Sequence, residues 1–175
     1  MALYEFEGKR PQIGAETYVS ESADVIGDVA IGNNCYIGPG ARIKGDYGSI
    51  IIGNKTNVQE NCVLHARPGK KCVVGNGCFI SHGSILHNCT INDNARVGMG
   101  AIVSDYAVVG KSAVLGEGCI VVQKQEIPPH AVAVGMPAKV VGKQLTTERL
   151  TEQEGYSNVY VELAKRYLSS LKRID

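Results

Sequence analysis

An aliphatic residue recurs every six positions along most of this chain. The recurrence is divided into four runs, and each run keeps the step of six. The members are Ile13, Val19, Val25, Ile31, Ile37 and Ile43; Ile52, Val58 and Leu64; Val74, Ile80 and Leu86; and Ile91, Val97, Val103, Val109, Leu115, Val121 and Ile127. A period of six is typical of a parallel β-helix, in which three short strands form each coil of about 18 residues. The repeat therefore predicts a mainly β fold of about six stacked coils.

A second column of small residues supports the first. The residue four positions after each aliphatic residue is nearly always small, and Tyr47 and Gln125 are the clear exceptions. Cys72 and Cys89 lie outside this column, and we expect them to be more exposed. No Cys-x-x-Cys pair is present, which argues against a zinc ribbon or a thioredoxin-like site. Four other cysteines lie in the column and are expected to be packed core residues: Cys35, Cys62, Cys78 and Cys119.

The last part of the chain has a helical pattern instead of the repeat. We predict one β-helical unit with an N-terminal strand over 1–142, and a helical tail over 143–175 that packs on it. Two threonines at 146–147 can cap a short helix that ends near Gly155. Ser157 can cap a longer helix with an apolar face, which comprises Tyr160, Leu163, Ala164, Tyr167, Leu168 and Leu171.

Composition excludes some classes of function. The chain has 18 Lys and Arg against 17 Asp and Glu, which argues against a protein that binds nucleic acid or anionic membranes by its overall charge. No apolar stretch approaches the roughly 18 residues of a membrane span. The first ten residues lack the apolar core of a secretory signal. A cytoplasmic protein with reduced cysteines is therefore the prediction.

Two histidines fall in register with the coils. His65 follows Leu64 directly and His87 follows Leu86 directly, 22 positions later. The step from Leu64 to Val74 exceeds six by four residues, which indicates an insertion. Without those four residues the two histidines are one coil apart, so they should stack at the same corner on adjacent rungs. A rung spacing of about 4.8 Å suits two imidazoles that share one metal ion.

His82 lies one face earlier in the coil and should point to another edge of the triangle. It cannot easily reach the same ion within one chain, but a three-fold trimer would bring one subunit's corner to its neighbour's. We therefore hypothesise a site of three histidines across a subunit interface. Three neutral nitrogen ligands with an open position are typical of catalytic zinc. His130, beside two prolines, is interpreted as a turn residue without a function.

Four segments together resemble the γ-class carbonic anhydrases. They are Thr56-Asn57-Val58-Gln59-Glu60-Asn61-Cys62-Val63-Leu64-His65, Ser81-His82-Gly83, Leu86-His87-Asn88-Cys89 and Val97-Gly98-Met99-Gly100-Ala101. The resemblance implies a left-handed parallel β-helix of triangular cross-section, a homotrimer with metal sites at its interfaces, and reversible hydration of CO2 to bicarbonate. His65 and His87 of one subunit and His82 of the next would hold each metal. Zinc is the usual ion, and Fe(II) or Co(II) is the active ion in some members.

The resemblance also implies roles for four other polar residues. Gln59 would hydrogen-bond the metal-bound water, and Asn57 would help to line the pocket. Asp46 matches the Asp of the family's Arg-Gly-Asp motif, which reads Lys-Gly-Asp here. Tyr160 resembles a tyrosine that lies near the site in relatives with a short loop after the first histidine.

The chain departs from the family pattern in three places. Lys44 stands for the Arg of the motif and Glu60 stands for an expected Asp, so we predict a Lys44–Glu60 ion pair between subunits. Tyr47 replaces a Glu that follows the motif. The loop over 66–71 is short and has no carboxylate, so the family's proton-shuttle Glu is missing. Proton export would then be slow, or would use Glu60, Tyr160 or buffer.

Three other functions are compatible with the pattern. An acyltransferase on the same fold would use one histidine as a general base and would need no metal. A hydrolase, for example of a thioester, would use the same metal. A catalytically weak scaffold would keep the metal for structure alone. Fold alone cannot choose among these functions.

Overall fold

The computed structural model describes residues 2–141 and 146–174, and it has a parallel β-helix of about seven turns followed by one helix. The predicted β-helix is therefore confirmed, with one turn more than the repeat count indicated. The strands are β1 (Ala2–Tyr4), β2 (Gln12–Ile13), β3 (Tyr18–Val19), β4 (Asp24–Ile31), β5 (Tyr36–Ile37), β6 (Arg42–Ile52), β7 (Asn57–Val58), β8 (Val63–His65), β9 (Lys71–Val74), β10 (Phe79–Ile80), β11 (Ile85–His87), β12 (Thr90–Ile91), β13 (Arg96–Val97), β14 (Ile102–Val103), β15 (Val108–Val109), β16 (Val114–Leu115), β17 (Ile120–Val121), β18 (Glu126–Ile127), β19 (Val132–Val134) and β20 (Lys139–Val140).

The strands form three faces. The helix-covered face comprises β3, β5, β7, β10, β13, β16 and β19, with β20 antiparallel at its end. The histidine face comprises β1, β8, β11, β14, β17 and the first parts of β4 and β6. The third face comprises β2, β9, β12, β15, β18 and the last parts of β4 and β6.

The two sequence columns form the core. Every aliphatic residue of the repeat from Val19 to Ile127 is buried, and Ile13 packs against them at the first turn. The four cysteines of the small-residue column are buried as predicted. Cys72 and Cys89 are buried as well, with their Sγ atoms 4.0 Å apart, so the expectation that they are more exposed is wrong. Cys72 directly follows the insertion, and Cys89 lies where the step from Leu86 to Ile91 is five, so the six-residue register does not indicate at either point which side chains point inward.

Along one corner, backbone N–H groups donate to side-chain oxygens on successive rungs, an arrangement called the amide ladder below. Asn33 Oδ1 accepts a hydrogen bond from the backbone N–H of Ala15, and Asn54 and Asn76 accept from the N–H of the preceding rung in the same way. Asp93 continues the ladder by accepting from the N–H of Asn76 at 2.7 Å. These bonds satisfy backbone donors where the chain turns and cannot form strand pairs.

The tail forms one helix, α1 (Thr147–Ser170), so the predicted break at Gly155 is wrong. Tyr160, Leu163, Ala164 and Tyr167 pack against Tyr18 and Tyr36 of the helix-covered face, as the apolar pattern predicted. Packing of this kind outweighs the roughly 1 kcal/mol that a glycine costs inside a helix.

The end of the helix and the position of Ser157 differ from the predicted tail. Leu168 and Leu171 are 53% and 57% exposed, so their predicted place on the packed face is wrong. Ser157 lies inside the helix, and its hydroxyl donates to the carbonyl of Gly77 at 3.0 Å, which ties the helix to the prism. The predicted boundary between 142 and 143 lies outside the described residues. Across the part of the chain that is described, no helix is long and apolar enough to cross a membrane.

Candidate metal centre

Two histidines meet at the corner between the histidine face and the third face. His65 ends β8 and His87 ends β11, and the two residues are direct partners in the parallel ladder. This pairing confirms the predicted stacking on adjacent rungs. His65 Nδ1 lies 3.3 Å from His87 Nε2, so the two rings present one nitrogen each to the same point.

The other ring nitrogen of each histidine contacts a carboxylate. His65 Nε2 lies 2.8 Å from Asp46 Oδ1, and His87 Nδ1 lies 2.8 Å from Asp105 Oδ1. A ring N–H that donates to a carboxylate leaves the opposite nitrogen with its lone pair free, which is the usual arrangement of metal-ligating histidines. Two nitrogens bound to one tetrahedral ion at 2.0–2.1 Å stand about 3.3 Å apart. The separation and the carboxylate partners both fit a metal between His65 and His87.

Cations hold both carboxylates in their charged form. Burial alone would raise the pKa of Asp46, but hydrogen bonds from Lys44, at 2.9 Å, and from His65 outweigh it and lower the pKa to about 2. Arg67 binds Asp105 through two bonds, from Nε at 2.9 Å and from Nη2 at 2.7 Å, and these bonds lower the pKa of Asp105. Each histidine therefore faces a fixed negative charge.

Sequence reasoning missed Arg67 and Asp105. The place of Asp105 could have been predicted from the sequence, because Asp105 follows His87 by 18 positions, the length of one coil. The loop over 66–71 lacks a carboxylate, but its Arg67 forms an ion pair with Asp105 beside His87. Tyr47, the other departure in this region, is 67% exposed, and its ring centroid lies 6.0 Å from that of His65.

The second group of predicted residues lies at the corner between the helix-covered face and the histidine face. Gln59 and His82 line a groove that Tyr160 of α1 also borders. Gln59 and Asn57 are buried, and Gln59 Nε2 donates to Asn57 Oδ1 at 2.9 Å. His82 Nδ1 lies 2.6 Å from Glu60 Oε2, which leaves its Nε2 facing away from the carboxylate.

Tyr36 also contacts the carboxylate of Glu60. Its hydroxyl donates to Glu60 Oε1 at 2.8 Å, and burial together with this carboxylate raises the pKa of Tyr36, so the phenol stays a donor. Within the chain, Lys44 pairs with Asp46 and Glu60 pairs with Tyr36 and His82. The Lys44–Glu60 pair between subunits stays a prediction.

The predicted site residues thus form two clusters, one on each side of the histidine face, which are called half-sites below. The two-histidine half-site is His65, His87, Asp46 and Asp105, and the one-histidine half-site is His82, Glu60, Gln59 and Asn57. Among the side chains that the structure describes (residues 2–141, 146–148, 151–152 and 155–174), no three of His, Cys, Asp or Glu converge so that they could hold an ion. A three-histidine site therefore needs a second copy of the chain.

Comparison with known proteins identifies relatives described as a carbonic anhydrase and as a carnitine operon protein. A family model described as bacterial transferase hexapeptide (six repeats) matches residues 10–45. A carbonic anhydrase of Geobacillus kaustophilus is 37% identical over 165 residues, which cover 94% of this chain and 90% of that protein. The carnitine operon protein CaiE of Citrobacter koseri is 46% identical over 65 residues, but the match spans only 33% of that protein.

Solved structures confirm the fold over the full length. A Bacillus cereus protein described as a candidate acetyltransferase has a TM-score of 0.94 at 35% identity, covering 97% of this chain and 98% of that one. A hexapeptide transferase family protein from Anaplasma phagocytophilum has a TM-score of 0.90 at 32% identity, covering 95% and 98%. Similarity to the Geobacillus kaustophilus protein extends over nearly the whole chain, and this chain has the fold of the hexapeptide-repeat proteins. The chain therefore belongs to the γ-class carbonic anhydrase family.

Proposed function

We propose that the chain is the subunit of a metal-dependent γ-type carbonic anhydrase, which hydrates CO2 reversibly at sites shared between three subunits. The observation that carries this proposal is the His65–His87 pair, whose facing nitrogens are 3.3 Å apart and whose outer nitrogens each contact a carboxylate. An acyltransferase that uses one histidine as a general base has no need of such a pair.

The surface between the two half-sites supports a trimer. Four aliphatic side chains stack in register on the outer side of the histidine face: Val63, Ile85, Ile102 and Ile120. Ile85, at the level of the histidines, is 39% exposed. An apolar strip flanked by two different half-sites suits a head-to-tail contact, which closes into a ring when the rotation between copies is three-fold.

The residues present fit a divalent ion. His65 and His87 of one subunit and His82 of the next would hold it, and zinc, Fe(II) or Co(II) bound there would supply hydroxide at neutral pH. Asp46 and Asp105 keep the N–H of each histidine on the outer nitrogen. Because Gln59 donates to Asn57, its carbonyl oxygen is free to accept from an O–H in the groove. In this proposal Glu60, which lies beside His82, would take a proton toward solvent.

Metal content and CO2 hydration test this proposal together. Protein purified without added metal should hold about one ion per chain, and stopped-flow assays should detect hydration on zinc-loaded or anaerobically Fe(II)- or Co(II)-loaded samples. His87→Ala should lose both the metal and the activity, because one facing nitrogen is removed. His130→Ala, at a corner outside both half-sites, is the matched control and should keep both.

The other outcomes separate the remaining functions. Metal without hydration on any ion would replace the proposal by a thioester hydrolase or a scaffold. Absence of metal would replace it by an acyltransferase, the activity that the descriptions of the two solved relatives favour.

A further inference from the structure

The groove at the one-histidine half-site extends beyond the residues that the proposed reaction uses. It has a volume of about 340 Å³ and runs between the helix-covered face and Tyr160 of α1. Gln59, Ser81 and His82 lie at its polar end. The rest of its lining comprises the apolar side chains of Phe79, Met99 and Val114, together with Arg96 and Glu117. Val97 and Leu115 also border the groove, but their side chains are buried in the core. Bicarbonate would fill only a small part of this space.

Arg96 is the unusual member of the lining. It lies on β13 beside Phe79 in the parallel ladder, and its guanidinium carbon is 4.5 Å from the centroid of the Phe79 ring and 4.9 Å from that of Tyr156. Burial lowers the pKa of Arg96, but a guanidinium remains charged at any physiological pH. The cation is therefore half-buried and in contact with two aromatic rings.

None of the described carboxylates forms an ion pair with this charge. Among the described side chains (residues 2–141, 146–148, 151–152 and 155–174), no carboxylate oxygen lies within ion-pair distance of Arg96, whereas Arg42 and Arg67 both have such a partner. A guanidinium has five N–H groups, so contact with two rings leaves donors available to a ligand. A partly desolvated cation without an anion is costly, and an anionic ligand would offset that cost.

The lining also indicates the class of anion. A guanidinium edge matches the two oxygens of a carboxylate. The apolar walls suit an aliphatic or aromatic body. Glu117 adds a negative charge to the same groove and disfavours a ligand with a second negative charge.

We propose that this groove binds a small organic monocarboxylate, with the carboxylate on Arg96 and the apolar body against Phe79, Met99 and Val114. The ligand contacts Arg96 and not the metal, so its binding does not depend on the proposed function. Because the groove ends at His82 and Gln59, an occupant would stand beside the metal centre and would inhibit or accompany the reaction there.

Calorimetric titration with benzoate and hexanoate tests the proposal on the protein as purified. Both should bind saturably, and benzamide, glutarate and inorganic phosphate should bind at least tenfold more weakly. Arg96→Gln should weaken benzoate binding by about tenfold or more, and Arg96→Lys should fall between, because a lysine keeps the charge but not the fork. Arg166→Gln, the same change on an exposed part of α1, should have no effect.

Two further variants keep the test decisive if Arg96→Gln folds poorly. Glu117→Gln should tighten benzoate binding and admit glutarate, which is a gain that unfolding cannot produce. His87→Ala, without metal, should bind benzoate as the unsubstituted protein does. Benzoate binding that survives Arg96→Gln and disappears in His87→Ala would place the anion on the metal and overturn the proposal. Equal binding of benzamide, or no saturable binding of benzoate, would overturn it too.

Discussion

Each of the three histidines has a carboxylate beside one ring nitrogen: Asp46 beside His65, Asp105 beside His87 and Glu60 beside His82. The spacing of the histidines was enough to predict that two of them stack. The same spacing also indicates Asp105, which lies one coil length after His87. Arg67 has no such signal, because its loop interrupts the repeat. Contacts made by interruptions of a repeat are the ones that its period cannot predict.

The Asp105 contact predicts a loss of metal affinity when its charge is removed. In Asp105→Asn the side chain keeps its size but no longer offers His87 Nδ1–H a charged acceptor, so we expect metal affinity to fall about 10- to 100-fold. Competition with a chromophoric chelator measures this change, and the visible spectrum of the Co(II) protein should shift with it. Arg67→Lys should cause a smaller loss in the same direction.

Asp93→Asn is the matched control for this substitution. Asp93 occupies the amide ladder at another corner, where asparagines already serve on the neighbouring rungs, so metal affinity should stay unchanged. An Asp105→Asn protein that binds metal as tightly as this control would show that the carboxylate does not orient His87.

At the scale of elements, the sequence predicted strands well and the helix poorly. The strands follow from the six-residue period because each coil repeats the same burial pattern. The helix has no such repetition, and Gly155 was interpreted as a stop signal from local preference alone. Its backbone lacks the positive φ of a helix-terminating glycine, unlike Gly118 at a coil corner, where φ is +63°. Contacts of Tyr160 and Tyr167 with the prism decide where the helix continues.

Gly155→Ala is therefore expected to stabilise the protein. A Cβ at this position meets no atom within 4 Å, and alanine removes backbone freedom from the unfolded chain, so the free energy of unfolding should rise by about 0.5–1 kcal/mol. Gly118→Ala, which also has room but has a positive φ, should lower it. Urea unfolding curves measure both. A destabilised Gly155→Ala protein would mean that the helix ends there after all.

At the scale of the whole molecule, the two half-sites stand on opposite sides of the histidine face and contain different candidate ligands. The sequence predicted this division from the offset of His82 by one face. The apolar strip between the half-sites could not be predicted from the sequence. Its members lie next to core positions in the chain and differ from them only in pointing outward: Val63, Ile85, Ile102 and Ile120. A trimer that joins unlike half-sites makes every metal site depend on two chains.

Mixing two defective chains tests that dependence directly. His82→Ala keeps the two-histidine half-site, and His87→Ala keeps the one-histidine half-site, so each variant alone should hold no metal. When the two are refolded together in equal amounts, about three quarters of the trimers are mixed and each has one complete site of three, which predicts about a quarter of the metal and of the hydration rate of the unsubstituted protein.

A mixture of His65→Ala and His87→Ala provides the control for this complementation. Both changes damage the same half-site, so no arrangement of these chains restores three histidines at one interface, and metal content and activity should stay near zero. Recovery in the first mixture but not in the second requires that His82 and His87 of one site come from different chains. Equal recovery in both mixtures, or in neither, would contradict a site shared across the interface, because only a shared site makes the outcome depend on which histidine each chain lacks.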